Sequence, residues 1–161
     1  MNMFIIMTSI IQATLTVTSP DFQDGKMIPE KFTCEGSNTS PAISITNIPK
    51  EAVSMVLIMD DPDAPNGGFD HWVVFNIEPG GNILENSVPG IEGSNGKGEA
   101  KYTGPCPPTG EHHYHFKVYA LDMMLNLKIG ATKKNVLENM TGHIIAWGEI
   151  VGLYSKKQNR K

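Results

Sequence analysis

Two polar segments of the chain hold side chains that could bind a ligand or take part in a reaction. The first follows an apolar run and carries Asp61 and Asp63, then Pro65, with His71 soon after. Prolines stiffen the backbone here, so the two carboxylates are expected to lie near each other at the mouth of a hairpin. The same Asp-Pro-Asp pattern is also ordinary turn chemistry, and a purely structural turn stays open at this point.

The second polar segment runs from His112 through His113 and Tyr114 to His115. If a strand begins near His112, alternation puts His112 and Tyr114 on one face and His113 and His115 on the other. The face of His112 continues into apolar residues and is predicted to point inward. The outward pair has the spacing of a metal-binding His-x-His, but a solvated face is the favoured interpretation.

Cys106 lies between two prolines in this same region, and a cysteine near histidines could act as a nucleophile. The stiff loop and the lack of an oxyanion or helix-terminus setting make this catalytic role the less favoured reading. The chain has one other cysteine, Cys34. The pair could form one disulfide or stay reduced, and the sequence leaves both open.

The hydrophobic pattern of the chain predicts the scaffold that positions these segments. This scaffold is a mainly β, β-rich α+β fold. Strands are predicted at residues 14–18, 54–60, 71–77, 114–121 and 144–153. The run at 54–60 is apolar on both faces, which is typical of a central strand covered on both sides. Glycines interrupt residues 78–102, where a long irregular and functional loop is expected.

One helix is predicted. Thr132 can cap its start and Gly142 can close its end. Its predicted apolar stripe is Val136, Leu137, Met140 and Ile144.

Composition limits the class of protein. The 161 residues suit one domain, and 40% hydrophobic with 19% charged residues predicts a folded globule. A net charge of -4 gives no electrostatic reason to bind nucleic acid. The apolar residues 4–11 are too few to span a bilayer and lack the positive flank of a secretory signal. The sequence therefore predicts no transmembrane segment and a cytoplasmic location.

The two polar segments together resemble the phosphatidylethanolamine-binding protein (PEBP) family, especially its bacterial and archaeal members. The motifs are Asp-Pro-Asp-Ala-Pro at 61–65, His-Trp at 71–72, Gly-Pro-Cys-Pro-Pro at 104–108 and His-x-Tyr at 112–114, with weaker similarity from residue 16 to 154. This resemblance implies a large central antiparallel sheet packed against a smaller sheet, with a few short helices. It makes residues 14–154 a single PEBP-like domain, residues 1–13 an N-terminal extension and residues 155–161 a basic tail.

The resemblance also implies a small anion pocket and a cis peptide bond before Pro65. The residues carried over to the pocket are Asp61, Asp63, Pro65, His71, His112 and Tyr114. Backbone N–H groups around Gly110 are expected to complete the shell around the anion. One position departs from the family, because His113 stands where relatives have arginine. That change removes a permanent positive charge and a guanidinium group with five N–H donors. The alternation of side chains along the strand, however, predicts that His113 points away from His112.

The favoured function is non-enzymatic binding of phosphate, a phosphorylated headgroup or another small anion, with no cofactor or metal. The two aspartates are expected to accept hydrogen bonds from the histidines and favour imidazolium, so binding should weaken as the pH rises past about 6.5. The resemblance adds regulation of a protease or kinase by binding, and a homodimer. The alternative is a metal-dependent hydrolase whose ligands are Asp61, Asp63, His71 and His112.

Overall fold

A computed structural model describes residues 13–157. These residues form ten strands, one α-helix and two short 3-10 turns. The strands are β1 (Ala13–Thr14), β2 (Thr16–Thr18), β3 (Lys26–Met27), β4 (Ile43–Thr46), β5 (Ser54–Asp61), β6 (Phe69–Ile77), β7 (Asn82–Ile83), β8 (Ile91–Glu92), β9 (His112–Leu121) and β10 (Ile144–Tyr154). The helix α1 spans Lys133–Met140, and the turns cover Glu30–Phe32 and Pro65–Gly67. Most of the extension at 1–13 and of the tail at 155–161 lies outside the described residues, and that division stays a prediction.

The strands form a large sheet and a smaller one. The order in the large sheet is β1-β10-β9-β5-β6-β8, and β3 also pairs with β10. Its central pairs are antiparallel, whereas β1 and β3 run parallel to β10. The small sheet, β2-β4-β7, is antiparallel. The predicted arrangement of a large sheet with a smaller one is confirmed, and the large sheet is mixed because two short segments add to its outer edge in parallel.

The centre of the large sheet is buried on both faces, and all eight residues of β5 are buried. On one face Leu57 and Met59 pack into the core shared with the small sheet. On the other face Val56 and Ile58 pack in a second cluster with Met140 of α1. The prediction of a central strand covered on both sides is confirmed.

The predicted strand at 14–18 is two short strands in different sheets. Its alternation is as predicted, with Leu15 and Val17 buried and the threonines exposed. The Leu15 N–H donates to the Trp147 carbonyl of the large sheet (2.9 Å), whereas Val17 pairs with Ile45 of the small sheet. The chain therefore passes from one sheet to the other at this point.

The helix begins as predicted, because the Thr132 hydroxyl accepts the Asn135 backbone N–H (3.2 Å). The predicted stripe is partly wrong, since Leu137 is 39% exposed and Ile144 belongs to β10. The helix stops before Gly142, whose positive φ of 82° turns the chain into that strand. Within residues 13–157, no helix has the length and apolar character needed to cross a membrane.

The connection from β6 to β9 is mostly irregular, as predicted, with β7 and β8 of two residues each. Buried Asn95 organises its last part. The Asn95 Oδ1 accepts the backbone N–H groups of Lys97 (2.9 Å) and Glu99 (3.1 Å), and its Nδ2 donates to the Lys101 carbonyl (3.0 Å). Residues 95–101, here called the Asn95 loop, are thus held in a defined shape.

Candidate anion-binding cavity

A cavity of about 430 Å³ opens where the β5–β6 connection meets the segment that leads into β9. Its lining residues are Asp61, Ala64, Pro65, Asn66, Phe69, His71, Lys97, Thr103, Gly104, Cys106, Pro107, Pro108 and His112. Asp61 ends β5, His71 lies near the start of β6, and His112 begins β9. Because these three strands are antiparallel neighbours in the middle of the sheet, the two polar segments of the sequence meet at one end of it.

Asp61 orients His112 and also shapes the turn that follows β5. Its Oδ2 is 2.7 Å from His112 Nδ1, and both side chains are buried. Its Oδ1 accepts the backbone N–H groups of Asp63 (2.9 Å) and Ala64 (3.1 Å). A carboxylate can only accept, so His112 Nδ1 carries the proton of this bond, and Nε2 is the ring nitrogen left for a ligand.

His71 is fixed by a backbone carbonyl rather than by a carboxylate. Its Nδ1 lies 2.7 Å from the Thr103 carbonyl oxygen, so Nδ1–H donates and Nε2 is again the nitrogen left for a ligand. Edge-on ring contacts with Phe69 (4.8 Å between centroids) and Tyr114 (5.2 Å) hold the imidazole on two sides. The ring has little freedom to turn over.

Burial lowers the pKa of His71, against the opposing effects of the Thr103 carbonyl and the charges of Asp61 and Asp70. The charge of Asp61 favours the imidazolium of His71, as expected, but burial outweighs that effect. No aspartate accepts from its ring among the described residues, because Asp61 is bonded to His112 and Asp63 turns to His113.

Tyr114 lies fully buried behind the two imidazoles, and its ring stacks near His112 at 6.5 Å between centroids. Burial, reinforced by the charge of the nearby Asp61, raises the pKa of Tyr114. No group of residues 13–157 meets hydrogen-bond geometry with its hydroxyl, although Asp61 lies close enough to act on its proton. A buried hydroxyl in this condition is uncommon in proteins and often marks a ligand or water position.

Asp63 and His113 form a separate pair on the outer rim. The Asp63 Oδ2 accepts from both the backbone N–H and the Nδ1–H of His113, each at 2.8 Å. These hydrogen bonds lower the pKa of Asp63. Both side chains are about half exposed, so His113 points away from His112 as parity predicted. Asp63 is not among the residues that line the cavity.

Pro65 lines the cavity, but the predicted cis bond before it is wrong. No peptide bond within residues 13–157 is cis. Reversal of the chain is achieved instead by the positive φ angles of Asn66 (62°), Gly67 (91°) and Gly68 (109°), which makes a cis proline unnecessary. Gly110 lies in the turn before β9 and does not line the cavity.

The far wall of the cavity is a loop tied to another part of the chain. Cys106 forms a disulfide with Cys34, which excludes the free thiolate that a nucleophile requires. The Tyr102 hydroxyl donates to the Phe32 carbonyl (2.7 Å), and a Cβ at Gly104 would overlap that same carbonyl. Glycine at 104 thus permits the close approach of these two segments.

Sequence reasoning missed Lys97, the lining residue with a permanent positive charge. It lies on the Asn95 loop at the cavity mouth, and no carboxylate of residues 13–157 forms an ion pair with it. Its neighbour Glu99 pairs with Lys101 instead (3.3 Å). The glycine-rich loop was recognised as functional, but a lone lysine in an irregular segment has no periodicity that would show where it points.

The proposed metal ligands do not assemble into a metal centre. Within the described part of the chain, no three or more His, Cys, Asp and Glu side chains are arranged to hold a metal ion. Asp63 accepts a hydrogen bond from His113 on the outer rim, and the Oδ2 of Asp61 accepts one from His112. The geometry gives no support to the metal-dependent hydrolase.

Residues 18–155 match the family model described as phosphatidylethanolamine-binding protein. The chain belongs to the phosphatidylethanolamine-binding protein family. A UPF0098 protein of Methanothermobacter thermautotrophicus is 46% identical over 143 residues, which cover 84% of this chain and 95% of that relative. Another from Pyrococcus abyssi is 47% identical over 147 residues, with 84% of this chain and 83% of the relative covered.

Solved structures agree with this PEBP membership. The crystal structure of a PEBP homolog from Chlamydia trachomatis superimposes with a TM-score of 0.87 at 42% identity, covering 89% of this chain and 99% of the homolog. E. coli YbcL, whose structure is presented as a member of the mammalian PEBP family, gives a TM-score of 0.83 at 30% identity, with 90% and 100% covered. The resemblance inferred from the two motifs is confirmed.

Proposed function

We propose that this PEBP-family protein binds phosphate or the phosphorylated headgroup of a larger molecule, without catalysis, in the cavity between His71 and His112. The observation that carries the proposal is the convergence of three nitrogen-bearing side chains on one hollow. His71 and His112 each have Nδ1 engaged by a protein acceptor and Nε2 left over, and Lys97 adds a permanent charge.

The charges around the cavity favour an anion despite the aspartate in its wall. Asp61 is committed to His112 and to two backbone N–H groups, so it presents no unpaired oxygen to a ligand. Lys97 has no carboxylate partner within residues 13–157 and is free to attract a negative group. Phe69 and Pro107 supply apolar surface that fits the carbon part of a phosphate ester.

The experiment is a titration of inorganic phosphate, and separately of phosphoethanolamine, into 15N-labelled protein followed by NMR. We expect saturable shifts of the amides around His71 and His112 at pH 6. His112→Ala should abolish them. His115→Ala is the matched control, because His115 lies on the same strand but faces outward, where it pairs with Glu149. If neither probe shifts these amides at pH 6 or pH 8, the proposal is wrong.

Binding of a protein partner through the same cavity is the second part of the proposal, and it rests on the family resemblance. A protease or kinase would place an acidic or phosphorylated segment where the small anion binds. Retention of that partner from cell extract should then depend on His112 and be competed by free phosphate. Retention that is unaffected by His112→Ala would contradict it.

A homodimer and a cytoplasmic location also stay predictions. Sedimentation equilibrium tests the first and cell fractionation the second. The Cys34–Cys106 disulfide weighs against a reducing compartment, because most cytosols keep thiols reduced, with hyperthermophiles as the exception.

A further inference from the structure

We infer that the cavity selects an oxyanion that carries its own proton, such as a hydrogen phosphate, over one of similar shape that carries none, such as sulfate. This inference rests on the proposed function and concerns the same cavity. Its basis is the direction of the hydrogen bonds that hold the two imidazoles.

His71 presents a hydrogen-bond acceptor to the ligand. A carbonyl oxygen cannot donate, so the 2.7 Å contact with Thr103 fixes the proton of the neutral ring on Nδ1. The other nitrogen, Nε2, then holds a lone pair. The ring is only 5% exposed, and contacts with Phe69 and Tyr114 oppose the flip that would exchange the two nitrogens.

Protonation does not remove this acceptor near neutral pH. Burial disfavours the charged ring of His71. The Thr103 and Gly104 backbone and the charges of Asp61 and Asp70 act in the other direction but do not outweigh burial. Tyr114, which also contacts the ring, is uncharged because burial raises its pKa. An anionic oxygen placed against Nε2 would therefore meet a lone pair, whereas a P–OH group placed there would donate to it.

His112 complements His71 on the other side of the cavity. Its Nδ1–H is committed to the Asp61 carboxylate, so its Nε2 donates to a ligand when the ring is protonated. Lys97, which also lines the cavity, favours an overall negative ligand. The site thus offers one acceptor, one switchable donor and one cation, which matches an acid phosphate and mismatches sulfate.

The first test compares dissociation constants of inorganic phosphate and inorganic sulfate at pH 7 and constant ionic strength. We expect phosphate to bind at least about tenfold more tightly, since a buried acceptor facing an unprotonated oxyanion loses a hydrogen bond and gains repulsion. Equal affinities would overturn the inference while leaving the proposed function intact. Absence of binding by both anions at pH 6, 7 and 8 would instead reject the proposed function, and the inference with it.

The second test uses the proton of the ligand itself. A phosphate monoester loses its last proton at a pKa of about 6, whereas inorganic phosphate still holds one above pH 7. The affinity of phosphoethanolamine divided by that of inorganic phosphate should therefore fall severalfold from pH 5 to pH 8. A change in the charge of the protein acts on both ligands and cancels in this ratio. A constant ratio contradicts the inference.

The third test addresses His71 directly. Nitrogen-15 NMR of the wild-type ring should show Nδ1 protonated and Nε2 bare at pH 7, and the opposite tautomer would overturn the inference. A His71→Gln variant can turn an amide donor toward the ligand, so sulfate should recover relative to phosphate. The ring spectrum needs no variant and decides the question even where His71→Gln fails to fold.

Discussion

Asp60 and Asp61 are consecutive residues at the end of β5, and they illustrate two different uses of a buried carboxylate. Asp60 points to the face of the sheet that carries the helix, where Lys133 (2.7 Å) and Lys117 (3.0 Å) reach it. Lys133 also contacts Asp70 at 2.8 Å. Asp61 points to the cavity face, where its partner is His112.

The two carboxylates differ in the side chains that they contact. Burial alone would raise the pKa of Asp60, but hydrogen bonds and charges from Lys133 and Lys117 outweigh it and lower that pKa. The Asp60 network therefore consists of oppositely charged side chains held against one another. Asp61 instead accepts from an imidazole, whose Nε2 is left for a ligand. One strand therefore carries an ion-pair network on one face and a histidine-bearing site on the other.

Loss of the Cys34–Cys106 disulfide should reduce the stability of the protein more than any other change considered below. It should also affect the cavity, because Cys106 belongs to the cavity wall. The bridge closes a loop across 72 positions, and its removal in a Cys34→Ser, Cys106→Ser double variant should reduce the free energy of unfolding by roughly 2–4 kcal/mol. The wall formed by Thr103 and Gly104 should also loosen and weaken phosphate binding. Urea denaturation and phosphate titration measure the two effects, with reduced wild-type protein as the comparison. Unchanged values in both would show that hydrogen bonds alone hold this wall.

Lys133→Met should have the next largest effect, confined to stability. The change leaves Asp70 without its cation and Asp60 with one lysine, so we expect a loss of about 2 kcal/mol in urea denaturation, less than for a fully buried pair. Phosphate affinity should stay within about twofold. The matched control is Lys134→Met, because Lys134 is exposed and pairs only with Glu138 one turn on, which is worth less than about 0.5 kcal/mol.

The stabilisation by Lys133 should depend on pH in a defined way. The pKa of Asp60 is lowered in the fold, so this contribution is present above the ordinary value of 3.8 and is lost as the pH falls below it. Burial works against the charge of Lys133, yet its bonds to Asp60 and Asp70 raise its pKa, so the contribution persists to pH 10.5 and disappears above that. The unfolding curves of wild type and Lys133→Met should converge below pH 3.8, and a constant gap at acid pH would contradict this account.

Asp61→Asn should weaken phosphate binding about tenfold, or about 1.4 kcal/mol, at pH 6. The amide oxygen can still accept the turn N–H groups of Asp63 and Ala64, but an amide nitrogen replaces the oxygen that accepts from His112 Nδ1–H. Asp63→Asn is the matched control, because it alters the exposed pair with His113 outside the cavity. Calorimetric titration measures both variants. A comparable loss in the two would mean that general charge, not the bond to His112, supports binding.

Lys97→Met should have the smallest effect, about two- to threefold weaker phosphate binding at low ionic strength, since an exposed charge at a cavity mouth is strongly screened. The effect should disappear at high salt. Lys101→Met is the matched control on the same loop, where the charge is already paired with Glu99. Equal affinities of Lys97→Met and wild type at low salt would remove Lys97 from the site.

Much of the scaffold could be predicted because it depends on local pattern. The alternation of Leu15 and Val17, the unbroken apolar run of β5 and the cap at Thr132 are each visible within a few neighbouring residues. The orientation of His113 followed from strand parity for the same reason. The C-terminal limit of the helix was less predictable, because Ile144 continues the helical spacing although Gly142 has already ended the helix.

The sequence by itself determined which residue types stand at the ends of β5, β6 and β9, and its resemblance to the family implied that carboxylates and imidazoles meet there. Only the tertiary structure decided how they pair. His112 takes a carboxylate 51 positions away, His71 takes a carbonyl 32 positions away, and Lys97 reaches the same cavity from an irregular loop. Such choices depend on the packing of distant segments, which strand periodicity does not encode, and they fix the tautomer and charge that a ligand meets.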